Sequence, residues 1–221
     1  LMGCGVCGAF PIIAGMSTTM ANMGIIYTSS PVFIVILSVF LFSEKISLNR
    51  IVGLIICLIG VITIITKGNF NYLINFSFTT GDFWMLGAAI GWALYSIYLL
   101  NWKSKFSLMG RFTLIAFFGF ISLFPFYILE ESLFFDTKFN STFLAWVLFA
   151  AISPGIIAFS LYTKVQRYLG ASLTGFTLYL FAVYGAIFGI ILFEEMLLPF
   201  HYYGGALVFA GVYIARKIKP I

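Results

Sequence analysis

Long apolar runs alternate along the chain with short polar connections, and this pattern predicts helices that cross a membrane. Residues 18–42 include no Asp, Glu, Lys, Arg or His. At a rise of about 1.5 Å per residue, a helix of this length spans the roughly 30 Å hydrocarbon core of a bilayer. Pro31 interrupts the run, and membrane helices tolerate such a proline because neighbouring helices and hydroxyl groups satisfy the carbonyl that it leaves free.

Seven further runs have the same character. The eight predicted spans are residues 1–15, 18–42, 50–66, 83–102, 108–129, 143–163, 171–193 and 197–215. The composition agrees with this interpretation, since 62% of the residues are hydrophobic and 9% are charged, whereas soluble domains have about 25% charged residues. We therefore predict an all-α, polytopic membrane helix bundle in contact with the lipid bilayer.

Basic residues concentrate in alternate connections, which predicts an orientation. Ten of the twelve fall on one side: Lys45, Arg50, Lys103, Lys105, Arg111, Lys164, Arg167, Arg216, Lys217 and Lys219. Because Lys and Arg are retained in the cytoplasm, the C-terminus is expected on the cytoplasmic side. The net charge of +5 then reflects topology and requires no nucleic acid as a partner.

One sequence pattern occurs twice and indicates an internal repeat. Residues 31–61 align with residues 182–212 at a constant offset of 151, and the aligned pairs include Glu44 with Glu195, Gly53 with Gly204, and Gly60 with Gly211. The distribution of basic residues places the two copies in opposite senses across the membrane. This is an inverted-topology repeat, the architecture of many secondary transporters.

The offset also predicts how the chain is divided. Residues 1–66 would be the last three helices of a first half, residues 67–82 a connecting loop, and residues 83–217 a second half of five helices. The counterpart of residue 83 would lie about 70 residues before Leu1. We therefore expect an N-terminally truncated form of a ten-helix protein, five plus five, of which eight helices are present.

Several motifs resemble those of a known family. "SSPVF" at 29–33, "FSEK" at 42–45 and "GLIICLIGV" at 53–61 resemble the EamA-type half-repeat of the drug/metabolite transporter superfamily, and residues 162–215 are similar to the matching end of the other half. Two positions depart from the pattern: Ala182 stands opposite Pro31, and Lys164 replaces a residue that is usually uncharged.

The resemblance implies a permease in a bacterial inner membrane. Such a carrier moves a small organic metabolite, whether amino-acid-like, nucleotide-like or drug-like, across the cytoplasmic membrane by alternating access. In the implied fold, the first four helices of each half surround a central cavity, and the fifth helix of each half packs outside them. The sequence does not decide whether the protein forms a homodimer.

Polar residues inside the predicted spans are the candidates for contact with a solute. They are Asn22, Thr28, Ser29, Ser30, Trp92, Tyr95, Ser96, Tyr98, Ser160, Tyr162, Thr163, Lys164, Thr174, Thr177 and Tyr179. Trp92, Tyr95 and Ser96 share one helical face, and an aromatic wall with adjacent hydroxyls suits a planar or amphipathic solute. Alternatively, such hydroxyls bond back to their own helix or across to a neighbour.

A second set of residues is predicted to have structural or gating roles. It comprises Pro31, Glu44, Glu195, Gly53, Gly60, Gly204 and Gly211. The two glutamates are expected at helix ends in the interface, where either could also act in gating through Lys45 or another cation. Lys164 either reaches the interface by snorkelling or meets an anionic solute.

Several other functions lack the residues that they need. We expect no metal or cofactor, because His201 is the single histidine and the Cys4 to Cys7 spacing has no second pair. A phosphate-binding loop for ATP is missing from the sequence. A membrane-embedded enzyme would need a nucleophile and a base within reach, so the chain is predicted not to be an enzyme. A non-transporting scaffold or assembly subunit is the main alternative.

The predicted orientation can be tested by cysteine labelling. A single cysteine at Lys103 or Lys217, in a cysteine-free background, should react with an impermeant thiol reagent only after the membrane is opened. A cysteine at Lys138 should react in intact cells. The reverse pattern would overturn both the orientation and the inverted-repeat interpretation.

Overall fold

The computed structural model describes residues 6–69, 71–75, 77–101, 105–133, 140–193, 196 and 198–216, and within these ranges it includes no strand. The helices are α1 (Cys7–Gly15), α2 (Met20–Tyr27), α3 (Ser30–Phe42), α4 (Leu48–Ile65), α5 (Asn71–Ile74), α6 (Thr80–Asn101), α7 (Leu108–Leu133), α8 (Ser141–Ala150), α9 (Phe159–Gly175), α10 (Thr177–Phe193) and α11 (Pro199–Arg216). A π-helical segment, Ala151–Ala158, joins α8 to α9. The predicted all-α fold is confirmed.

Five helical stretches of the described chain are long and apolar enough to cross a membrane. They are Asn22–Phe42, Leu48–Ile65, Thr80–Asn101, Gly110–Ile128 and Ser141–Gly175. The helices α10 and α11 have 17 and 18 residues.

The predicted span at 18–42 is divided into α2 and α3, with a bend at Thr28 and Ser29. Their hydroxyls donate to the carbonyls of Ile25 and Ile26 at 2.6 Å in both cases. Pro31 lies in the first turn of α3, where its missing N–H would have no helical acceptor in any case. The hydroxyls thus satisfy carbonyls at the bend.

The helices α4 and α11 cross in close contact through the glycines of the repeat. A methyl group on Gly53 would lie 2.5 Å from the Gly211 carbonyl oxygen, and one on Gly60 would lie 2.7 Å from that of Gly204. The contacts are reciprocal, because a methyl group on Gly211 or Gly204 would meet the carbonyl oxygen of Gly53 or Gly60. An exchange of this kind is what two copies related by a pseudo-two-fold axis produce.

The pair formed by α4 and α11 lies at an edge of the bundle. Cys57, Val61 and Val208 are fully buried between the two helices and their neighbours. Ile55 on α4 and Phe209 on α11 are more than half exposed. This position agrees with the outer place that the resemblance implies for the fifth helix of each half.

A second core joins α3, α6 and α9. Ile34, Ala93, Ile97 and Ala171 are buried together in it. The helical conformation of α9 is broken at Gly170, whose φ of 81° and ψ of 169° lie in a region that only glycine enters readily. The break separates residues 159–169, which we call the stem of α9, from the buried segment 171–175.

The glycine contact makes a prediction about stability. Gly211→Ala would place a methyl group 2.5 Å from Cys57 Sγ and 2.6 Å from the Gly53 carbonyl oxygen. Overpacking of this kind should lower the free energy of unfolding by about 1–3 kcal/mol, measured by thermal unfolding in detergent. Gly205→Ala is the matched control, since Gly205 is a buried residue of α11 with no atom within 4 Å of an added methyl group. Equal stability of the two variants would contradict the close approach.

Candidate functional site

Aromatic rings from α6 and α9 meet near the middle of α6. The ring centroid of Trp92 lies 5.3 Å from that of Tyr162 and 5.6 Å from that of Phe159. Tyr95 lies 5.7 Å from Trp92 and 6.0 Å from Phe159. These four residues form an aromatic cluster whose tilted and edge-to-face geometries are those that aromatic pairs prefer.

A buried polar network passes through the aromatic cluster. The hydroxyls of Ser96 and Tyr162 lie 2.7 Å apart. Gln166 donates from Nε2 to the Ser96 carbonyl oxygen at 2.6 Å and to Ser96 Oγ at 2.7 Å. Ser96 is fully buried and Gln166 is 1% exposed. The network connects two helices across the bundle, which distinguishes it from hydroxyls that bond to their own helix.

The depth of this cluster follows from its position on α6. Ten residues separate Asp82 from Trp92, a rise of about 15 Å, and seven separate Trp92 from Leu99, a rise of about 10 Å. The rings of Phe42 and Tyr98 lie 6.0 Å apart, so the C-terminal ends of α3 and α6 are at the same level. Trp92 therefore lies near the middle of the bundle, the depth at which many transporters bind solutes.

A small void adjoins the aromatic cluster on the side of α7. Its volume is about 10 Å³, room for about one water molecule, and Tyr95, Ser160, Thr163 and Arg111 are among its lining residues. Ser160 Oγ is buried without a hydrogen-bond partner. Arg111 donates to the Leu99 carbonyl oxygen at 2.7 Å.

Several predicted site residues satisfy their hydroxyls within their own helix or bend. Thr163 donates to the Phe159 carbonyl oxygen, Thr174 to that of Gly170, and Thr177 to that of Thr174, at 2.7–2.8 Å. Thr28 and Ser29 do the same at the bend described above. These bonds agree with the alternative interpretation, in which hydroxyls bond back to their own helix instead of to a solute.

Other predicted residues lie apart from the aromatic cluster. Tyr98 is 43% exposed, and Tyr179 is buried in the core that contains Cys57, with its hydroxyl unpaired. Ser30 is buried beside Pro31, also with an unpaired hydroxyl. Lys164 is exposed on α9.

Of the two predicted glutamates, Glu44 is within the residues that the structure describes. Glu44 forms an ion pair with Arg50 at 2.9 Å rather than with its neighbour Lys45. It also accepts a hydrogen bond from Ser172 at 2.8 Å. Glu195 lies outside the described residues.

A polar cleft opens at the opposite end of α6. It encloses about 790 Å³ and is lined by Met16, Ser17, Thr18, Thr19, Asn22, Asn69, Asn71, Asn75, Ser77 and Thr79. Beside it the Asp82 carboxylate, 1% exposed, accepts hydrogen bonds from Thr18 Oγ1 at 2.5 Å and from the Thr79 backbone N–H at 2.8 Å. Asp82 thus caps the start of α6 and holds the turn between α1 and α2. Asn22 is the predicted site residue that lines this cleft.

Sequence reasoning missed Gln166, Phe159 and Asp82. Gln166 lies between the basic residues Lys164 and Arg167, outside the predicted spans 143–163 and 171–193. Its position four residues after Tyr162, on the same helical face, was the available signal. Asp82 lies at the end of the predicted connecting loop 67–82, although Thr79 three residues earlier is the signature of a helix cap.

The sequence profile of the EamA-like transporter family matches residues 4–66 and 79–216. The chain belongs to this family. The predicted family is confirmed, and with it the helical membrane bundle of the drug/metabolite transporter superfamily. Together with the five apolar helices, family membership identifies this EamA-like chain as an integral membrane protein.

Two relatives of the EamA-like chain are named as transporters. It is 27% identical over 200 residues to an uncharacterized transporter of Methanothermobacter thermautotrophicus, with coverage of 89% of this chain and 57% of that protein. It is 26% identical over 205 residues to the uncharacterized transporter YetK of Bacillus subtilis, with coverage of 92% and 62%. The chain therefore spans about three fifths of the length of these relatives.

The fold also matches a solved structure. A crystal structure of a protein superposes with a TM-score of 0.72 at 20% identity, over 94% of this chain and 70% of that one. At this identity the match supports the fold alone.

The polar network of the EamA-like chain predicts a specific loss of stability. Gln166→Leu removes both donors to Ser96 in a buried setting and should lower the free energy of unfolding by about 1–3 kcal/mol. Thr163→Val on the same helix should cost less, because the Phe159 carbonyl also accepts the regular helical bond. Thermal unfolding in detergent compares the two variants. A Gln166→Leu protein no less stable than Thr163→Val would contradict the network.

Proposed function

We propose that this chain forms the larger part of a secondary carrier that moves a small organic solute across the cytoplasmic membrane by alternating access. The observation that carries the proposal is the buried hydrogen-bond network of Ser96, Tyr162 and Gln166, which lies against the ring of Trp92 at mid-depth. Inside a bilayer, polar side chains are costly, and those that converge between helices mark solute pathways. The relatives' names support transport as the activity.

The chemistry of the aromatic cluster suggests the class of solute. Four aromatic rings offer apolar contact to a planar or branched group. Ser96, Tyr162 and Gln166 offer hydroxyl and amide groups that can both donate and accept. No ionised side chain is among these residues, so we infer a solute with an apolar part and an uncharged hydrogen-bonding group at this position.

The halves of the repeat supply the two arrangements that alternating access requires. We infer that residues 1–66 and 83–217 belong to inverted halves, which the reciprocal contacts of Gly53 with Gly211 and of Gly60 with Gly204 support. Motion of the inner helices of one half against those of the other, with the contact between α4 and α11 kept fixed, would then expose the aromatic cluster alternately to each side. An inner membrane with a cytoplasmic C-terminus is the location that we propose.

Transport by the purified full-length protein tests the proposal. Proteoliposomes screened with a metabolite mixture should accumulate or release a solute down its gradient. Tyr162→Phe should then raise the half-saturating concentration about two- to twelvefold, because one hydrogen bond of about 0.5–1.5 kcal/mol is lost. Tyr98→Phe is the matched control and should behave like the parent, since Tyr98 lies outside the aromatic cluster.

Two results would contradict the proposal. A protein that moves no solute under any gradient would favour a non-transporting scaffold subunit. Transport in which both Tyr162→Phe and Trp92→Phe keep the parental half-saturating concentration would place the solute elsewhere.

Substitution of Lys164 distinguishes a neutral solute from an anionic one. Because Lys164 is exposed and Gln166 on the same helix is buried, Lys164→Met should leave the half-saturating concentration unchanged. An increase of tenfold or more, with partial recovery in Lys164→Arg, would instead support the anionic solute that the sequence left open.

A further inference from the structure

A chain of polar side chains closes the end of the bundle where α3 and the break in α9 meet. Ser172, two residues after the break at Gly170, donates to Glu44 Oε2 at 2.8 Å. Its hydroxyl lies 3.1 Å from that of Ser38, and Arg50 pairs with the other carboxylate oxygen of Glu44 at 2.9 Å. We call these four residues the polar tie.

The polar tie lies between the aromatic cluster and the surface at this end. Ser38 and Ser172 are 1% and 0% exposed, whereas the side chains of Glu44 and Arg50 are 29% and 14% exposed. Ala171, next to Ser172, packs with Ile34, Trp92 and Ile97 in the core. The tie therefore covers the apolar core that surrounds the aromatic cluster, with its charged pair facing outward.

The helical backbone is interrupted on both sides of the tie, at Ser43 and at Gly170. Ser43 adopts a left-handed conformation with φ of 52° and ends α3, so the chain turns at Glu44. On the other side, Gly170 separates segment 171–175 from the stem of α9. A break that only glycine adopts readily lets the segment bearing Ser172 move with little change in the stem.

The tie has no hydroxyl counterpart in the other repeat. At the 151-residue offset, Ser38 corresponds to Gly189 and Ser172 to Ala21. Neither residue type has a side-chain hydrogen-bonding group. The pair of hydroxyls in the polar tie is therefore specific to this repeat.

From these observations we propose that the polar tie is the gate at this end of the carrier and that it opens when solute passes. The inference rests on the proposed function. The tie can open at modest cost, because Glu44 and Arg50 are partly exposed and water can replace their contacts. When the tie opens, Ser38 and Ser172 would become exposed to water, which can replace the hydrogen bonds that their hydroxyls lose.

A disulfide across the tie tests the gate in the full-length protein. With Cys4, Cys7, Cys57 and any other cysteine of the full-length protein changed to alanine, the pair Ser38→Cys and Ser172→Cys would be oxidised, and the yield of the disulfide measured by mass spectrometry. Transport of the solute found in the metabolite screen should fall at least tenfold and return on reduction. The matched control keeps Cys57 and adds Val208→Cys, because both residues are fully buried in the core between α4 and α11, and the yield of its disulfide is measured in the same way. That disulfide should leave transport unchanged.

A labelling arm tests the gate without transport. Ala93→Cys, fully buried beside Trp92, would be exposed to an impermeant maleimide in vesicles of both orientations, in a background without other cysteines. Adding Ser172→Ala should raise the labelling rate at least threefold from the side that Glu44 faces and leave the other side unchanged.

The two arms distinguish the gate from the proposed function. Transport that persists with the 38–172 disulfide formed, or labelling that Ser172→Ala does not change, would overturn the gate. A protein that transports nothing but shows the one-sided rise in labelling would retain the gate and reject the carrier.

Discussion

The absence of water in the hydrocarbon core is the constraint on which the rest of this structure depends. A polar side chain there is costly unless it finds a partner within the protein. The hydroxyls of Ser30, Ser160 and Tyr179 are buried without one, and the hydroxyls that are paired find their partners in two ways. Thr28, Ser29 and Thr163 bond to carbonyls of their own helix or bend, whereas Ser96 and Ser172 bond across helices. Only the second kind fixes one helix against another. The cross-helix networks are therefore the polar contacts on which the proposed function depends.

These networks divide the bundle into levels. At one end, Asp82 caps α6 and holds the turn between α1 and α2 beside a polar cleft. At mid-depth, the aromatic cluster surrounds the bonds between Ser96, Tyr162 and Gln166. At the other end lies the polar tie. The glycine contact of α4 with α11 is set apart from all three, and it provides a rigid edge against which the remaining helices can rearrange.

The sequence was sufficient to predict a helical membrane bundle and the family. Apolar runs of bilayer length and the glycine pattern repeated at an offset of 151 residues have no common alternative explanation. The contact between Gly53 and Gly211 shows why those glycines are there, because any larger residue would meet a backbone carbonyl. The bend before Pro31 was not predicted, although the sequence did indicate that nearby hydroxyls satisfy carbonyls beside the proline.

The site was less predictable, because a list of polar residues does not say which way each one points. Tyr98 and Tyr95 are three residues apart, yet one is 43% exposed and the other is buried. Gln166 was hidden among basic residues, and Ser38 and Ser172 were not considered. Their roles depend on contacts between residues 134 positions apart, which no local pattern encodes.

Fluorescence of Trp92 tests the central claim, that solute binds at the aromatic cluster, most directly. Trp84, Trp102 and Trp146 would be changed to phenylalanine, so that Trp92 is the remaining tryptophan of these 221 residues. Titration with the transported solute should change its emission saturably, at concentrations that match half-saturation of transport. A transported solute that leaves Trp92 emission unchanged, and does not protect it from a water-soluble quencher, would contradict the account.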